Sequence, residues 1–350
     1  MRGLTWDHPR GYVVLDALAA DGGVRWDRQP LEGFESRPLR TLADDYDLVV
    51  IDHPGLGEAL RDGALRPLGT LLSDAELAAC AGVSAGRSYS SYHLGGQQWA
   101  LPLDAAAQVS VCRPDRLGER PASWADACRV ARRYPTAVCL GGPHALLMFS
   151  AICVSLGAPP GSYPNRFADP GAGADAIDVM VKLFSHADAE RNPIGVLDAM
   201  ADGDGPVYCP LVYGYISYQH ALEVFDAPAG RGGIGSVLGG TGIAVTRSCT
   251  DLAAAREQLL RLVSEDVQVS LYAKLGGQSA DRRAWDSDGF YAATRRTIEA
   301  AWVRPRFAGY VEFQSAASAA LRDGLRRGDR AKAILAEVER LFAMTREGQS

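Results

Sequence analysis

Two identical triplets are the residues of this sequence that are best placed to do chemistry. Asp7-His8-Pro9 follows the apolar run Gly3–Trp6, and Asp52-His53-Pro54 follows the apolar run Leu48–Ile51. Both runs predict short buried strands. In open α/β sheets, ligands bind beyond the carboxyl ends of the strands. We therefore expect the two Asp-His pairs, from two different strands, to lie at one crevice.

Imidazole and carboxylate groups at such an edge have two uses. His8 and His53 could hydrogen-bond a polar ligand together with Asp7 and Asp52, or they could act as general acid and base near neutral pH. The alternative is that each Asp caps the following turn and each His bonds the backbone. Two His and two Asp could ligate zinc, but adjacent residues at one strand end rarely point at one ion. We therefore expect no metal site.

Cys112 is the strongest candidate for nucleophilic chemistry. Its thiol would need a lowered pKa, which His8 or His53 could supply from within hydrogen-bond reach. The alternative is a buried, inert thiol. The seven cysteines are scattered, without a CxxC pair and odd in number. That pattern is typical of reduced thiols rather than of a disulfide framework.

Three side chains at the ends of other predicted elements are candidate ligand contacts. Tyr213 and Tyr215 follow a predicted strand over 206–211, and aromatic rings stack on sugars while their hydroxyls form hydrogen bonds. The alternative is that they pack on the surface. Asp104 follows Leu101-Pro102-Leu103, where its carboxylate could accept hydrogen bonds from ligand hydroxyls or could cap a turn.

A glycine cluster and two arginines complete the set of candidates. Gly240 and Thr241 lie in a run that lacks the GxGxxG pattern of nucleotide sites, so its glycines more simply admit a ligand or allow hinge bending. Arg304 and Arg306 flank Pro305 and could bind a carboxylate or phosphate, or form salt bridges within the protein. Gln278, after two glycines, is a further candidate at the rim of the site.

The elements that must position these residues alternate between strands and helices. This alternation predicts an α/β fold with a mostly parallel sheet. The sequence also predicts a hairpin around Gly95-Gly96, with strands over 88–94 and 98–103, and a separate strand over 108–113. A length of 350 residues predicts two domains. Because no low-complexity linker separates them, we expect the chain to cross between domains more than once.

Composition excludes several classes of protein. The net charge is −6 at pH 7, which favours neither nucleic acid nor an anionic membrane surface. No stretch approaches the roughly 18 apolar residues of a membrane span. The N-terminus shows no leader pattern. We therefore expect a cytoplasmic protein, or a periplasmic or extracellular one if a leader has been removed.

The order of several motifs resembles a known family. Trp99-Ala100-Leu101-Pro102-Leu103-Asp104, then Arg113-Pro114-Asp115, then Pro121-Ala122-Ser123-Trp124 is similar to a stretch of the sugar-type (family 1) extracellular solute-binding proteins of ABC importers. The glycine-rich run over 235–245, Gly276-Gly277-Gln278 and Arg304-Pro305-Arg306 resemble their C-terminal half. The resemblance covers roughly residues 3–345. Cys112 stands where the family often has Tyr.

The resemblance implies a periplasmic-binding-protein type II fold. Two α/β lobes would be joined by a hinge, with lobe 1 over 1–107 and 240–300 and lobe 2 over 108–239 and 301–350. The implied function is a receptor that closes on a small polar ligand, either a carbohydrate or a small organic acid, in the cleft between the lobes. It implies no cofactor, and an ABC permease as partner if the chain is exported. The alternative is a cytoplasmic enzyme on the same scaffold that uses Cys112 or an Asp-His pair.

Overall fold

The computed structural model describes residues 1–20, 22–36, 38–185, 190–287 and 289–347. They form two compact units, each assembled from three separate stretches of chain. Unit 1 comprises Met1–Ala106, Gly239–Tyr291 and Pro305–Val311, and unit 2 comprises Ala107–Leu238, Ala292–Arg304 and Glu312–Ser350.

Strands and helices occur in both units, as the alternating pattern predicts. The strands are β1 (Arg2–Trp6), β2 (Arg25–Gln29), β3 (Leu48–Ile51), β4 (His93–Leu94), β5 (Gln97–Gln98), β6 (Ala100–Cys112), β7 (Tyr208–Tyr213), β8 (Glu223–Phe225), β9 (Ala229–Gly230), β10 (Gly233–Ile234) and β11 (Leu238–Val245). The helices are α1 (Pro9–Ala19), α2 (Leu31–Ser36), α3 (Leu56–Arg61), α4 (Asp74–Val83), α5 (Ser88–Ser91), α6 (Trp124–Ala131), α7 (His144–Ser155), α8 (Pro170–Leu183), α9 (Pro193–Ala201), α10 (Leu252–Leu262), α11 (Tyr272–Leu275), α12 (Phe290–Ala300), α13 (Tyr310–Arg327) and α14 (Ala331–Glu347).

The sheet of unit 1 has the strand order β2-β1-β3-β11-β6. Strand β1 runs parallel to β2 and β3, and β11 runs antiparallel to β3. All four residues of β3 are buried, which explains its continuous apolar sequence, because a strand covered on both faces has no polar side. The sheet therefore forms the buried centre of unit 1.

Unit 2 is built around the second half of β6 and a buried helix. Strands β7 and β8 both pair antiparallel with this half of β6. Helix α7 is buried along nearly its whole length. Beside it, Phe167 lies 4.8 Å from Phe313 and 5.7 Å from Phe342 between ring centroids. This aromatic cluster joins α13 and α14 to the core of the unit.

Strand β6 differs from the sequence prediction. Two strands, over 98–103 and 108–113, were expected, whereas one strand of 13 buried residues runs from Ala100 to Cys112. Pro102 and Asp104 fall inside it, and both residue types are uncommon in strand interiors. The hairpin turn at Gly95-Gly96 is correct, and it joins β4 to β5. The expectation of a mostly parallel sheet is wrong, because β7, β8 and β11 pair antiparallel.

The division into units differs from the predicted lobes near the C-terminus. Residues 292–300 were assigned to lobe 1 but lie in unit 2, and 305–311 were assigned to lobe 2 but lie in unit 1. Thr297 of α12 donates to the carboxylate of Asp226, and its hydroxyl accepts from the amide of Ala227. These hydrogen bonds to the segment after β8 hold α12 in unit 2. Such long-range bonds have no local signal in the sequence.

The contact between α3 and the 305–311 segment gives a stability prediction. A Cβ on Gly57 would lie 2.0 Å from the carbonyl oxygen of Arg306, whereas a Cβ on Gly82, in α4, would meet nothing within 4 Å. Gly57→Ala should therefore lower the free energy of unfolding by about 1–3 kcal/mol, as overpacking does. Gly82→Ala should raise it by up to about 1 kcal/mol through helix propensity. Urea unfolding of both variants tests this difference, and equal effects would contradict the packing.

Candidate functional site

The two Asp-His-Pro triplets lie at the same edge of the unit 1 sheet. Leu4 of β1 pairs with Val49 of β3 in parallel register. Continued by three residues, this register sets Asp7 level with Asp52. Both triplets begin directly after their strands end. The two triplets therefore share one sheet edge, as their places after two strands predict, while a ligand crevice at this edge stays a prediction.

The next two strands bring further candidates to this edge. Gly242 of β11 pairs with Ile51, the last residue of β3, so Thr241 and Gly240 lie beyond the end of β3. A Cβ on Gly240 would lie 2.3 Å from the carbonyl oxygen of Asp104 in β6. We call this set of residues the carboxyl edge: Asp7, His8, Asp52, His53, Asp104, Gly240 and Thr241.

His8 begins helix α1 at the carboxyl edge. Its Nδ1 accepts a hydrogen bond of 3.1 Å from the amide of Arg10 and so caps the helix. Its ring stacks on Trp6, with centroids 5.1 Å apart and planes 8° apart. Since Nδ1 accepts this bond, the neutral ring carries its proton on Nε2. Here the histidine, rather than the neighbouring Asp7, supplies the cap that the sequence led us to expect from an Asp.

The second triplet is more deeply placed. His53 is fully buried, and its ring meets that of Tyr92 edge-on at 6.2 Å. The Asp52 carboxylate accepts from the amide of His53 at 2.9 Å and lies 3.3 Å from its Nδ1. Asp52 therefore caps the following turn, as the alternative interpretation holds. The burial of His53 does not favour contact with a ligand, and its assignment as a ligand contact stays a prediction.

Asp104 forms a buried ion pair that the sequence analysis did not anticipate. The Arg10 guanidinium donates to both of its carboxylate oxygens, at 2.6 and 2.5 Å. The two side chains are 7% and 4% exposed. Burial raises the pKa of the Asp104 carboxyl above its usual range, while the Arg10 charge opposes that rise. Asp104 thus serves first as the partner of Arg10, whereas its predicted contact with ligand hydroxyls stays a prediction.

The glycines of β11 make room for protein groups. Gly240 has φ +93° and leaves space for the Asp104 carbonyl, and Gly242 leaves space for the Tyr92 ring, whose atoms would lie 2.7 Å from an added Cβ. Thr241 between them is buried. The glycines thus allow a close approach of a carbonyl and a ring of this chain, whereas their predicted approach to a ligand stays a prediction.

Two further candidates in unit 1 have structural contacts. The Gln278 side-chain amide donates to the carbonyl of Ala105 at 3.4 Å, and Gln278 is buried. Arg306 donates through Nη1 to the carbonyls of Ser90 and Ser91, both at 2.8 Å. It therefore binds the C-terminal end of α5. Burial lowers the pKa of Arg306.

The remaining candidates belong to unit 2. The Tyr213 hydroxyl donates to the carbonyl of Leu238 at 3.3 Å, and its ring meets His144 edge-on at 5.8 Å. Tyr215 is 5% exposed and lies against Tyr218. Arg304 is buried and donates to Gln314 and to the Leu238 carbonyl. Arg304 and Arg306 thus have partners in different units.

The surroundings of Cys112 do not activate its thiol. Cys112 is fully buried at the end of β6, where it pairs with Tyr208 and Glu223 of the neighbouring strands. Burial raises the pKa of this thiol to about 11, against a smaller opposing effect of Arg120. A thiol with this pKa is almost entirely protonated at neutral pH, whereas nucleophilic catalysis needs the thiolate. This geometry supports the alternative interpretation of Cys112 as a buried, inert thiol rather than a nucleophile.

The described residues offer neither a metal centre nor a membrane span. Among them, no group of three or more His, Cys, Asp or Glu side chains is arranged to hold a metal ion. No helix in the described part of the chain has the length and apolar character needed to cross a membrane. At the carboxyl edge, the side chains of Asp7 and Asp52 are the acidic groups that reach solvent.

Sequence reasoning missed three residues that shape the carboxyl edge. Arg10 pairs with Asp104, Trp6 stacks under His8, and Tyr92 covers His53. Arg10 stands directly after the first triplet, so its position could have marked it. Tyr92 lies far from His53 in the sequence, just before a short hairpin. No local pattern there predicted its contact with His53.

Comparison with solved structures identifies the fold. T. maritima MalE3 with bound maltose matches with a TM-score of 0.80 and 16% identity, over 97% of this chain and 98% of that one. A solute-binding protein of an ABC transporter from Agrobacterium radiobacter in complex with ribitol has a TM-score of 0.79 and 18% identity, over 97% and 96%. The GacH receptor of Streptomyces glaucescens, solved unliganded and with acarbose, has a TM-score of 0.81 and 15% identity, over 99% and 97%.

The chain therefore has the fold of sugar-binding solute-binding proteins of ABC transporters, and the predicted fold class is confirmed. No family model matches the chain, and no curated protein is significantly similar to it. At these identities the comparisons establish the fold.

The buried ion pair predicts a pH-dependent defect. Arg10→Met should lower the free energy of unfolding by about 3–5 kcal/mol at pH 8, because it leaves a buried carboxylate without its partner. Burial then holds the pKa of Asp104 in the folded variant above its value in the unfolded chain. The variant therefore loses stability as the pH rises from the unfolded-state pKa to the folded-state pKa. The defect should therefore be smaller at pH 5, where Asp104 can take up a proton. Urea unfolding at the two pH values measures it.

Arg247→Met is the matched control, since this arginine pairs with Asp44 at the surface, with the two side chains 47% and 69% exposed. It should cost less than about 1 kcal/mol at either pH. The double variant Arg10→Met/Asp104→Leu should recover most of the loss. An Arg10→Met defect that does not change with pH would contradict the role given to Asp104.

The state of Cys112 is tested by alkylation. In the native protein at pH 7.5, iodoacetamide should label the half-buried Cys80 well before Cys112, because Cys112 is both inaccessible and protonated. Peptide mapping by mass spectrometry gives both rates. If Cys112 were labelled faster than Cys80, its thiol would be accessible and reactive, which would contradict a buried, inert thiol.

Proposed function

We propose that this protein is a solute-binding-protein-like receptor for a small polar ligand, and that the carboxyl edge of unit 1 supplies ligand contacts. The observation that carries the proposal is the alignment of Asp7 and Asp52 beyond two parallel strands, on a fold whose solved examples include proteins with bound maltose and ribitol. Recognition of this kind needs no chemical step.

The chemistry of the edge favours a neutral polyhydroxy ligand. The Asp7 and Asp52 side chains are 60% and 21% exposed. An ionised carboxylate only accepts hydrogen bonds, so it pairs with hydroxyl donors and repels anions. The two arginines that suggested an acid as ligand donate to backbone carbonyls. We therefore place a carbohydrate or polyol ahead of a small organic acid.

Closure on the ligand is part of this proposal, because the resemblance implies a hinged receptor. A ligand drives such a change only by binding the closed form more tightly than the open form. A decrease in the radius of gyration on adding ligand, measured by small-angle X-ray scattering, is the expected sign of closure.

An ABC permease is the proposed partner. The fold supports it, because the ribitol-bound protein that this chain resembles is a solute-binding protein of an ABC transporter. Delivery to an importer requires the protein to work outside the cytoplasm. Recovery of the native protein in the extracytoplasmic fraction of its own host would agree with this role. Retention in the cytoplasm would contradict import while leaving ligand binding open.

Isothermal titration calorimetry with maltose, maltotriose, ribitol and tagatose tests the ligand class. At least one of these should bind saturably to the native protein. Asp52→Asn and Asp7→Asn should each lower the affinity for that ligand. A hydrogen bond to a charged group contributes about 1.5–3 kcal/mol, or roughly 10- to 150-fold in affinity.

Asp44→Asn is the control, because Asp44 is an exposed carboxylate of the same unit that precedes β3 and so lies away from the carboxyl edge. Its affinity should equal that of the native protein. If the three variants bind alike, or if no neutral polyol binds while an organic acid does, the proposed site or ligand class is wrong.

A further inference from the structure

A cavity of about 260 Å³ opens in unit 1 and shares no lining residue with the carboxyl edge. It lies between the second half of α4, the end of α10 and the segment that follows Ser279. Its walls include Cys80, Val83, Ser84, Leu260, Val263 and Ala280. The proposed receptor function does not use it.

The lining of the cavity is mostly apolar. Besides the aliphatic side chains of both helices, Pro102 of β6 contributes to it. Concave sites with apolar walls and a few polar groups are typical of small-molecule binding. An engineered cavity of roughly 150 Å³ holds benzene. The present cavity therefore has room for one substituted ring.

The charged groups at the cavity are already neutralised. Glu76 pairs with Arg256, and Asp281 pairs with Arg283 at 2.6 Å. A charged ligand would lose hydration without meeting an uncompensated opposite charge, which is costly in an apolar site. The occupant that fits is therefore uncharged.

One polar group in the lining has hydrogen-bonding capacity to offer. The Ser84 oxygen accepts from the amide of Tyr89 at 2.9 Å. Among the described residues, no acceptor takes the hydroxyl hydrogen of Ser84. A ligand oxygen placed in the cavity could accept that hydrogen, which would fix the orientation of the ligand.

The polar part of the wall is held in place by the protein itself. Gln268, within the π-helical turn Asp266–Leu271, donates to the carbonyls of Leu103 and Leu262. Its side-chain oxygen accepts from Ser279 and Ala280. Because these bonds satisfy the Gln268 amide, the cavity does not depend on a ligand to keep its shape, and a preformed site binds with less ordering cost.

We propose that this cavity is a second small-molecule site, which takes an uncharged molecule of one substituted ring that carries an oxygen acceptor for Ser84. Such a ligand would bind unit 1 independently of any solute at the carboxyl edge.

The probe for this site is 4-methylphenol, which is neutral at pH 7 and combines a ring with one oxygen. Saturation-transfer NMR should show saturable binding to the native protein. Bound 4-methylphenol should also slow alkylation of Cys80 by iodoacetamide, since Cys80 lines the cavity. No saturable binding up to the solubility limit of the probe would overturn the proposal.

Variants then locate the binding. Val83→Phe fills the cavity and should lower the affinity for 4-methylphenol at least tenfold. Val181→Phe makes the same change at a 50% exposed position in unit 2 and should bind as the native protein does. Equal affinity in the two variants would overturn the proposed location. Circular dichroism and thermal unfolding show that each variant is folded.

Two further comparisons separate this site from the others. Ser84→Ala should lower the affinity for 4-methylphenol severalfold. It should leave the affinity for toluene, which has no oxygen, unchanged. Loss of both probes alike would contradict the hydrogen bond to Ser84. Asp52→Asn should leave 4-methylphenol binding intact, and a loss there would show that the probe binds at the carboxyl edge instead.

Discussion

The register between β1, β3 and β11 is the constraint on which the candidate site depends. Because β1 and β3 run parallel and both end at the same level, Asp7 and Asp52 leave the sheet side by side. The antiparallel β11 then brings Thr241 to the same edge. A slip of one residue would turn every side chain of a strand to the opposite face. A slip of β3 would also draw Asp47 or Asp52, which flank its four buried apolar residues, into the buried span of the sheet, so the apolar core also fixes the edge.

The ion pair between Arg10 and Asp104 ties this edge together across the sheet. It links the first turn of α1 to β6, two elements 94 residues apart. Buried charges of this kind add little net stability, but losing either partner is costly, so the pair constrains geometry. Next to this ion pair, the backbone amide of Arg10 donates a hydrogen bond to Nδ1 of His8, and the His8 ring stacks on Trp6. The polar edge is thereby preorganised before any ligand arrives.

The sequence predicted the parts of this arrangement that have local signals. Two apolar runs followed by identical triplets gave the strands and the edge, and the order of motifs gave the fold. It did not predict β6 as one strand, because Pro102 and Asp104 carry turn propensity that the tertiary pairing overrides. It also missed the partner of Asp104, since no local pattern connects residues so far apart. Cys112 was chosen by residue type, and its environment, which decides reactivity, appears only in the folded chain.

A crystal structure of the protein with maltose or ribitol would show which atoms touch the ligand and so whether the carboxyl edge binds it. We expect the carboxylate of Asp7 or Asp52 to accept a hydrogen bond from a ligand hydroxyl, at about 2.5–3.0 Å between oxygens. A ligand held without any contact from the carboxyl edge would contradict it, and so would binding through the 260 Å³ cavity alone.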